Sequence, residues 1–355
     1  MLDQWGRLHP AVNRFPSANG DHGFKPLAGY VHSKGLKFGI HLMRGIPRQA
    51  VAQNLPVKGT PYSARDIADQ KHTCTWNSDM FGVDMTRSGA QEYYNSVFEL
   101  IASWDVDFVK VDDLSRPYDE HRLEIEAIRH AIDNAGRPIV LSTSPGETPV
   151  SEGPHVRQHA NMWRISDDFW DRWDLLLAQF KRLDDWTPFR GPGYFPDADM
   201  LPLGAIRQVA TSKDPGHTRF TPDEQRTMMS LWAIARSPLM MGGDLTKLDD
   251  FTTSLLTNSE VIAVNQRSTN NQQLFRRGDA IAWIANIPDS NDKYLALFNT
   301  SANAAAVSID ASQLGFAGEV AMRDLWTKSD LEKALKTFAP TLPPHGSGLY
   351  RVSDR

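Results

Sequence analysis

The sequence predicts an α/β protein with a parallel sheet, followed by a small antiparallel β domain. Short β-branched runs alternate with amphipathic helical segments over residues 1–268, a pattern typical of a parallel sheet with right-handed crossovers. Polar residues cluster where these strands end, which is where a (β/α)8 TIM barrel carries its chemistry. From residue 269 the strands are separated only by turns. We therefore predict a (β/α) barrel domain over 1–268 and an antiparallel β domain of sandwich type over 269–355.

The first domain shows six strand segments, two fewer than a complete (β/α)8 barrel contains. They lie near residues 37–43, 106–113, 139–144, 162–168, 194–200 and 237–241. Helical periodicity marks residues 26–35, 119–135 and 169–185. Capping boxes at Ser88–Gln91 and Thr221–Glu224 predict the starts of two more helices. Residues 44–85 are predicted to form one long polar loop, and such loops are usually functional or mobile.

Composition excludes several classes of partner. The chain has 355 residues and a net charge of −5, which argues against nucleic acid or an anionic membrane. No apolar run reaches the roughly 18 residues of a membrane span. Cys74 is the single cysteine, so an intrachain disulfide cannot form. Met1–Arg7 lacks the apolar core of a signal peptide. The compartment therefore stays open: the protein is cytoplasmic or, if a signal precedes this sequence, periplasmic or secreted.

The strand that ends at Asp112 and Asp113 predicts a reaction centre. Lys110 lies two residues before Asp112, so a strand places both side chains on one face. The lysine should keep the Asp112 carboxylate ionised and ready to act as a nucleophile, with Asp113 as a further contact to substrate. The alternative, a strand that ends in a solvated acidic turn, is left open by this stretch alone.

A second strand-end carboxylate, Asp168, completes the pair that glycoside hydrolysis requires. Like charge from Asp167 and neighbouring aromatic residues are expected to raise its pKa into the range of an acid/base catalyst. Arg164 lies four residues earlier, shares its face and is predicted to bind a sugar hydroxyl or a carboxylate. The alternative is that Asp167, Asp168 and Asp171 form an acidic cluster stabilised by the dipole of the following helix.

Other candidates carry two interpretations each. His41 either lines the site or packs, and Trp76 either contacts sugar or caps the barrel from its loop. Asp197 and Asp199 are expected to form hydrogen bonds within a turn. The sequence has no His-x-His at a strand end and no clear set of three or four ligands, which argues against a metal-dependent barrel hydrolase using His41 and the aspartates. No metal and no cofactor are predicted.

Several motifs, taken together, resemble a known family. Lys110–Asp113 resembles the Lys-aromatic-Asp strand end of glycoside hydrolase family 27, which contains α-galactosidases and α-N-acetylgalactosaminidases. Segments that resemble the same family follow in the same order at Trp163–Asp168, Phe195–Leu201, Ser237–Leu245 and, in the β domain, Arg323–Trp326. The resemblance covers nearly the whole chain and points to a bacterial branch.

The resemblance implies a retaining exo-glycosidase that hydrolyses terminal α-galactosyl-type residues of a carbohydrate substrate. Asp112 aligns with the nucleophile of the family and Asp168 with its acid/base, while Lys110 and Arg164 align with residues that bind the glycone. Ser144 aligns with a glutamate in the α-galactosidases and with a serine in the N-acetylgalactosaminidases. The Pro-Gly that follows Ser144 fits neither group, so galactose, N-acetylgalactosamine and arabinopyranose all stay open.

The chain departs from the family pattern at its start. It begins after the first two strands of such a barrel, which normally include an Asp-Asp pair that binds galactose. An unclosed barrel leaves sheet edges that favour association into a homo-oligomer. The alternative function is therefore a sugar-binding barrel remnant that is inactive or weakly active, and comparison with an N-terminally extended chain would separate the two.

Overall fold

The computed structural model describes residues 1–207, 216–331 and 336–354. The chain divides into two compact units, Met1–Asp167 with Gly191–Tyr194 and Asp168–Arg190 with Phe195–Arg355. The predicted domain boundary after residue 268 is a different division and stays a prediction. In the parts of the chain that the structure describes, no helix is both long enough and apolar enough to cross a membrane.

Helices and strands alternate through most of the first unit. Its helices are α1 (Lys25–Ser33), α2 (Arg48–Gln53), α3 (Ala64–Ile67), α4 (Ala90–Ser103), α5 (Tyr118–Asn134) and α6 (Gly153–His159). Its strands are β1 (Gly39–Met43), β2 (Ile46–Pro47), β3 (Ala68–Asp69), β4 (Met80–Val83), β5 (Phe108–Asp112), β6 (Val140–Thr143) and β7 (Met162–Arg164).

Strands β1, β5, β6 and β7 form a parallel sheet in that order. In β5 the side chains of Val109 and Val111 are buried, while Lys110 and Asp112 between and after them are half-buried, as alternation along a strand requires. Helix α5 joins β5 to β6, and its buried isoleucines recur at helical spacing. The parallel α/β arrangement that the sequence predicts is therefore present in this unit.

The segment predicted as one long loop, residues 44–85, is not a loop. It contains α2 and α3, and the short antiparallel strands β2, β4 and β3 pair in that order. These elements are two to six residues long, too short to leave a periodic pattern in the sequence.

The capping box predicted at Ser88 is also wrong. Helix α4 begins at Ala90, and its N-cap is Gly89, which makes no side-chain cap. Gly89 has a φ of 95°, and a Cβ atom there would lie 2.9 Å from the Tyr62 ring. The helix start is therefore set by a glycine that accepts the left-handed backbone and the close ring.

The second unit contains the remaining helices and most of the strands. Its helices are α7 (Trp173–Asp185), α8 (Pro222–Ala235), α9 (Asp250–Leu256) and α10 (Ser259–Arg267). Its strands are β8 (Phe195–Asp197), β9 (Ala205–Ile206), β10 (Gly216–His217), β11 (Thr269–Arg277), β12 (Ala280–Asn286), β13 (Lys293–Asn299), β14 (Ala305–Ala306), β15 (Ile309–Asp310), β16 (Val320–Asp324), β17 (Ser329–Asp330), β18 (Thr337–Phe338), β19 (Thr341–Leu342) and β20 (Ser347–Asp354).

The antiparallel β domain is present, and the central strands of its main sheet are covered on both faces. Strands β11, β12, β13, β20, β16 and β17 form this sheet in that order. One face, including Ala282, Ile284 and Leu295, packs into an apolar cluster with residues of the short outer strands. Helix α8 packs against β13 and β20. The helix starts at the predicted capping box, where the Glu224 amide donates to Thr221 Oγ1 at 3.2 Å.

The strand predicted at 237–241 is wrong. Only one bridge forms there, between Leu201 and Met241. Ser237 instead accepts a hydrogen bond from the Ala198 amide on its side-chain oxygen and one from Asn265 on its carbonyl. The Ser237 carbonyl and the Ser237 amide, which donates to the Trp232 carbonyl at 3.0 Å, are therefore both bonded outside a strand ladder.

Candidate active site

Four of the predicted site residues, His41, Lys110, Asp112 and Ser144, share one face of the parallel sheet. In register, His41 of β1 lies beside Lys110 of β5, and Lys110 lies beside Ser142 of β6. Two residues further along their strands come Asp112 and Ser144, which the alternation places on the same face. The carboxyl end of the sheet thus brings a carboxylate, a hydroxyl, an imidazole and an ammonium group together.

Asp112 is a partly buried carboxylate with two polar side chains close to its oxygens. The Ser144 hydroxyl donates to its Oδ1 at 2.5 Å, and His41 Nε2 lies 3.4 Å from its Oδ2. Burial raises the pKa of Asp112, but hydrogen bonds from His41 and Ser144, with the charges of His41 and Lys110, hold it below its ordinary value. The sequence assigned this effect to Lys110, whereas His41 and Ser144 contribute more.

His41 and Trp76 are both about half exposed to solvent. The exposed fraction is 53% for the His41 side chain and 54% for the whole Trp76 residue. His41 contacts Asp112, so its environment favours a place at the site over a place in the core. Trp76 lies between β3 and β4, close in sequence to the buried Cys74. The contact of Trp76 with sugar stays a prediction.

Asp113 lies in a different environment from its neighbour. It is buried, and its φ of 66° is left-handed. Arg44 donates to its carbonyl oxygen and to its Oδ2, each at 2.8 Å. The proposed contact of Asp113 with substrate stays a prediction, and these bonds favour a role in fixing the end of β5.

Arg44 also binds a glutamate that the sequence did not single out. Its Nη1 donates to Glu124 Oε1 at 2.5 Å, and the Tyr94 hydroxyl donates to Oε2 of the same carboxylate. Burial lowers the pKa of Arg44, but Glu124 and Asp113 more than offset this, so its pKa is raised and it stays cationic. The signal in the sequence was Glu124 on the apolar face of α5, beside Ile125 and Ile128.

Arg164 ends β7 and is fully buried, with 1% exposure. Its Nη2 donates to the Ser166 carbonyl at 3.1 Å, and its own carbonyl accepts from the Thr148 amide at 3.1 Å. Its position two residues after Met162, the partner of Ser142, puts it level with Ser144. Trp163 beside it is fully buried and packs, as expected.

Asp168 is the first residue of the second unit and is exposed. The residue after it, Phe169, is buried and donates its amide to Asp199 Oδ2 at 2.8 Å. The Asp199 amide in turn donates to Asp197 Oδ1 at 2.9 Å. Asp197 and Asp199 thus form the hydrogen-bonded turn that the sequence predicts, and this turn fixes the backbone next to Asp168.

The other acidic residues near Asp168 have partners of their own. Asp167 pairs with Arg116 at 2.9 Å, with both side chains exposed. Asp171 is buried and accepts hydrogen bonds from Arg207 Nη1 at 2.8 Å and from the Arg219 amide at 2.6 Å. Asp167 thus has an arginine partner, and Asp171 has an arginine and a backbone amide as partners. The pairing of Asp112 with Asp168 about one sugar ring stays a prediction.

One group of residues has the composition of a metal site. Within the described residues, the side chains of Glu126, His155 and His159 bring ligand atoms within 4.8 Å of one another. None of the predicted site residues belongs to this group.

Two family models match the chain. A model described as alpha galactosidase A matches residues 83–267, and one described as alpha galactosidase C-terminal beta sandwich domain matches residues 277–352. An alpha-galactosidase from Oryza sativa subsp. japonica is 27% identical, over 98% of this chain and 72% of its own length. Alpha-galactosidase A from Homo sapiens is 30% identical over 78% of this chain and 55% of its own length.

Solved structures include more similar proteins. A GH27 β-L-arabinopyranosidase from Geobacillus stearothermophilus is 51% identical, with a TM-score of 0.96 over 100% of this chain and 82% of its own. A variant of that enzyme in complex with arabinose is 50% identical, with a TM-score of 0.96 over 100% of this chain and 83% of its own.

Proposed function

Because the chain belongs to the alpha galactosidase A family, glycoside hydrolase family 27, we propose that it is a retaining exo-glycosidase with Asp112 as nucleophile and Asp168 as acid and base. The protein is an α-galactosidase-like glycoside hydrolase with a (β/α)8 barrel-type domain and a C-terminal antiparallel β-sandwich. The family and fold class predicted from the sequence are confirmed.

The environment of Asp112 carries the proposal. A nucleophile must be ionised at working pH and must keep lone pairs open to the anomeric carbon. The hydrogen bonds from Ser144 and His41 lower the pKa of Asp112, and its position at the carboxyl end of β5 is where barrel enzymes place reacting groups.

The reaction proceeds in two displacements. In the first, an Asp112 oxygen bonds to the anomeric carbon while the Asp168 carboxylic acid gives its proton to the departing glycosidic oxygen. This leaves a glycosyl ester on Asp112 and a carboxylate at Asp168. In the second, water attacks the anomeric carbon, Asp168 takes the proton of that water and the ester bond to Asp112 breaks. Two inversions give net retention of configuration.

The glycone we propose is a terminal pyranose of galactose configuration, with β-L-arabinopyranose preferred. The two sugars share their ring configuration, and arabinopyranose lacks only the hydroxymethyl group on the ring. The preference rests on the similarity to the Geobacillus arabinopyranosidase, 51% against about 27–30% for the α-galactosidases. We assign the hydrogen bonds to sugar hydroxyls to Lys110 and Arg164, as the family resemblance implies.

Two measurements on the purified chain test the reaction and the glycone. Proton NMR of the first product should show the anomeric configuration of the substrate, and an inverted product would overturn the two-displacement mechanism. The p-nitrophenyl β-L-arabinopyranoside should have the larger kcat/KM, compared with p-nitrophenyl α-D-galactopyranoside. A larger value for the galactoside would overturn the glycone preference and leave the mechanism intact.

The role of Asp168 has its own test. Asp168→Ala should lower kcat by about 10²–10⁴-fold on a substrate with a poor leaving group. On an activated aryl glycoside, whose leaving group departs without protonation, added azide attacks the glycosyl ester without a general base; it should restore turnover and give a glycosyl azide of retained configuration. Asp167→Ala is the matched control, because Asp167 pairs with Arg116; it should keep near wild-type activity without azide. Rescue of Asp167→Ala instead would reassign the acid/base.

A further inference from the structure

Two histidines on α6 face a glutamate on α5, away from the predicted site residues. His155 and His159 lie one helical turn apart, with ring centroids 4.2 Å apart and an interplanar angle of 31°. His155 Nε2 lies 2.9 Å from Glu126 Oε1. The ligand atoms of all three side chains lie within 4.8 Å of one another.

The Nδ1 atoms of both imidazole rings already have hydrogen-bond partners. His155 Nδ1 lies 2.8 Å from the Tyr118 hydroxyl, and His159 Nδ1 donates to the His155 carbonyl at 2.8 Å. Metal-ligating histidines almost always use one ring nitrogen in this way, which fixes the tautomer and leaves a lone pair on the other. In His155 the remaining nitrogen, Nε2, is the one that faces Glu126.

We infer that Glu126, His155 and His159 bind a Zn²⁺ ion. Two imidazoles and one carboxylate are a recurring three-residue zinc set, with water as the fourth ligand, and histidines at i and i+4 of one helix supply two of its ligands. The side chain of Glu126 is 41% exposed and can rotate to close the site. Water also reaches the ion from this side.

The charges around the group are compatible with a cation. Arg122 is a cation beside the group, with its Nε 3.8 Å from Glu126 Oε1. Glu152 holds the other end of that guanidinium at 2.6 Å, which leaves Glu126 available to a metal.

The ion would be structural. Helix α6 leads directly into β7, and α5 follows β5 and leads into β6. A bound ion therefore ties together two helices that flank the strands carrying Asp112 and Arg164. Binding should raise thermal stability because the ion joins two helices. The glycosidase activity of the metal-free chain should persist, because none of the predicted site residues is a ligand.

Isothermal titration with ZnCl₂ tests the site, on the full chain without a polyhistidine tag. We expect one zinc ion per chain and a rise in Tm when zinc is added. Glu126→Gln and His159→Gln should lose both responses. Tyr118→Phe should weaken binding about 10–100-fold, because its hydroxyl orients His155. His22→Gln removes an exposed histidine outside the group and should keep both responses.

Circular dichroism confirms that each variant is folded before titration. The visible spectrum of Co²⁺ bound in place of zinc should show a tetrahedral site in the wild type and not in His159→Gln. Absence of binding to the wild type would overturn the site, and so would equal binding to His159→Gln. In either case the group is a hydrogen-bonded chain from Tyr118 through His155 to Glu126.

Discussion

The strand β5 has a carboxylate at each end, and the two are bound differently. Asp107, just before the strand, accepts the Phe38 amide at 2.8 Å, pairs with His32 at 2.6 Å and pairs with Arg137 at 2.6 Å. Asp112, at the other end, has one short bond from Ser144 and a longer approach of 3.4 Å from His41.

Under the proposed function, the difference separates a stabilising carboxylate, Asp107, from a reactive one, Asp112. Burial raises the pKa of Asp107, but the bonds from Phe38, His32 and Arg137 lower it to about 2, and those bonds take up its oxygens. Asp112 is also held ionised, yet with lone pairs left for a substrate. In parallel α/β proteins the amino ends of strands serve stability and the carboxyl ends serve chemistry.

The largest effect is expected at the carboxyl end. Asp112→Asn should lower kcat on an aryl glycoside by about 10⁴-fold or more, because the amide cannot form the glycosyl ester. Thermal unfolding should be little changed. Steady-state kinetics and a melting curve measure the two. Turnover within tenfold of wild type would remove Asp112 from the reaction.

The opposite pattern is expected at the amino end. Asp107→Asn should lower the free energy of unfolding by about 2 kcal/mol at pH 7, with kcat unchanged. The folded pKa is below the unfolded value of about 3.9, so this contribution is full above that pH and is lost as the pH falls toward 2. Urea unfolding at pH 7 and pH 3 should therefore show a smaller difference from wild type at pH 3.

Asp105→Asn is the matched control for Asp107→Asn. Asp105 is more exposed, and its nearest cations lie 3.7 and 3.9 Å away, so its loss should change the unfolding free energy by less than about 0.5 kcal/mol. Equal decreases in the free energy of unfolding at the two positions would show that burial and hydrogen bonding of Asp107 contribute no extra stability.

A smaller effect is expected from the Ser144 hydroxyl, which donates to the proposed nucleophile Asp112. Ser144→Ala removes a hydrogen bond that lowers the pKa of Asp112, so this pKa should rise. The acidic limb of the kcat/KM profile should move to higher pH by the same amount. Ser142→Ala is the control, because the buried Ser142 hydroxyl has no hydrogen-bond partner among the described residues; its profile should match wild type.

The smallest effect is expected at Trp76. If its ring stacks on sugar, Trp76→Ala should raise KM about 2- to 10-fold, with kcat and Tm nearly unchanged. Tyr30→Ala, at a similarly exposed aromatic residue on α1, is the control and should change neither constant. An unchanged KM in Trp76→Ala would show that the Trp76 ring does not contribute to substrate binding.

The sequence predicted elements whose signals are local. Strand β5 was evident because β-branched residues alternate with Lys110 and Asp112, and α8 because Thr221 and Glu224 complete a capping box. The same signal misled at Ser88, where the left-handed Gly89 starts the helix instead. At 237–241 an apolar run had the composition of a strand, but the backbone groups of Ser237 bond to Asn265 and Trp232 instead of to a neighbouring strand.

The site was predictable in part. Alternation along the strands placed Lys110 and Asp112 on one face, and the order of motifs identified the family. The bonds that tune Asp112 come from His41 on β1 and Ser144 after β6, and their geometry depends on strand register that the sequence does not display. Glu124 was missed for the same reason, since Arg44, its partner, is 80 residues away.

Covalent capture of the intermediate tests the role of Asp112. A 2-deoxy-2-fluoro glycosyl fluoride of the preferred sugar slows hydrolysis of the ester, so the labelled enzyme can be digested and mapped by mass spectrometry. We expect the added sugar mass on the peptide that contains Asp112, with fragmentation placing it on that residue. A label on another carboxylate, or inactivation of Asp112→Asn at the wild-type rate, would contradict the assignment of the nucleophile.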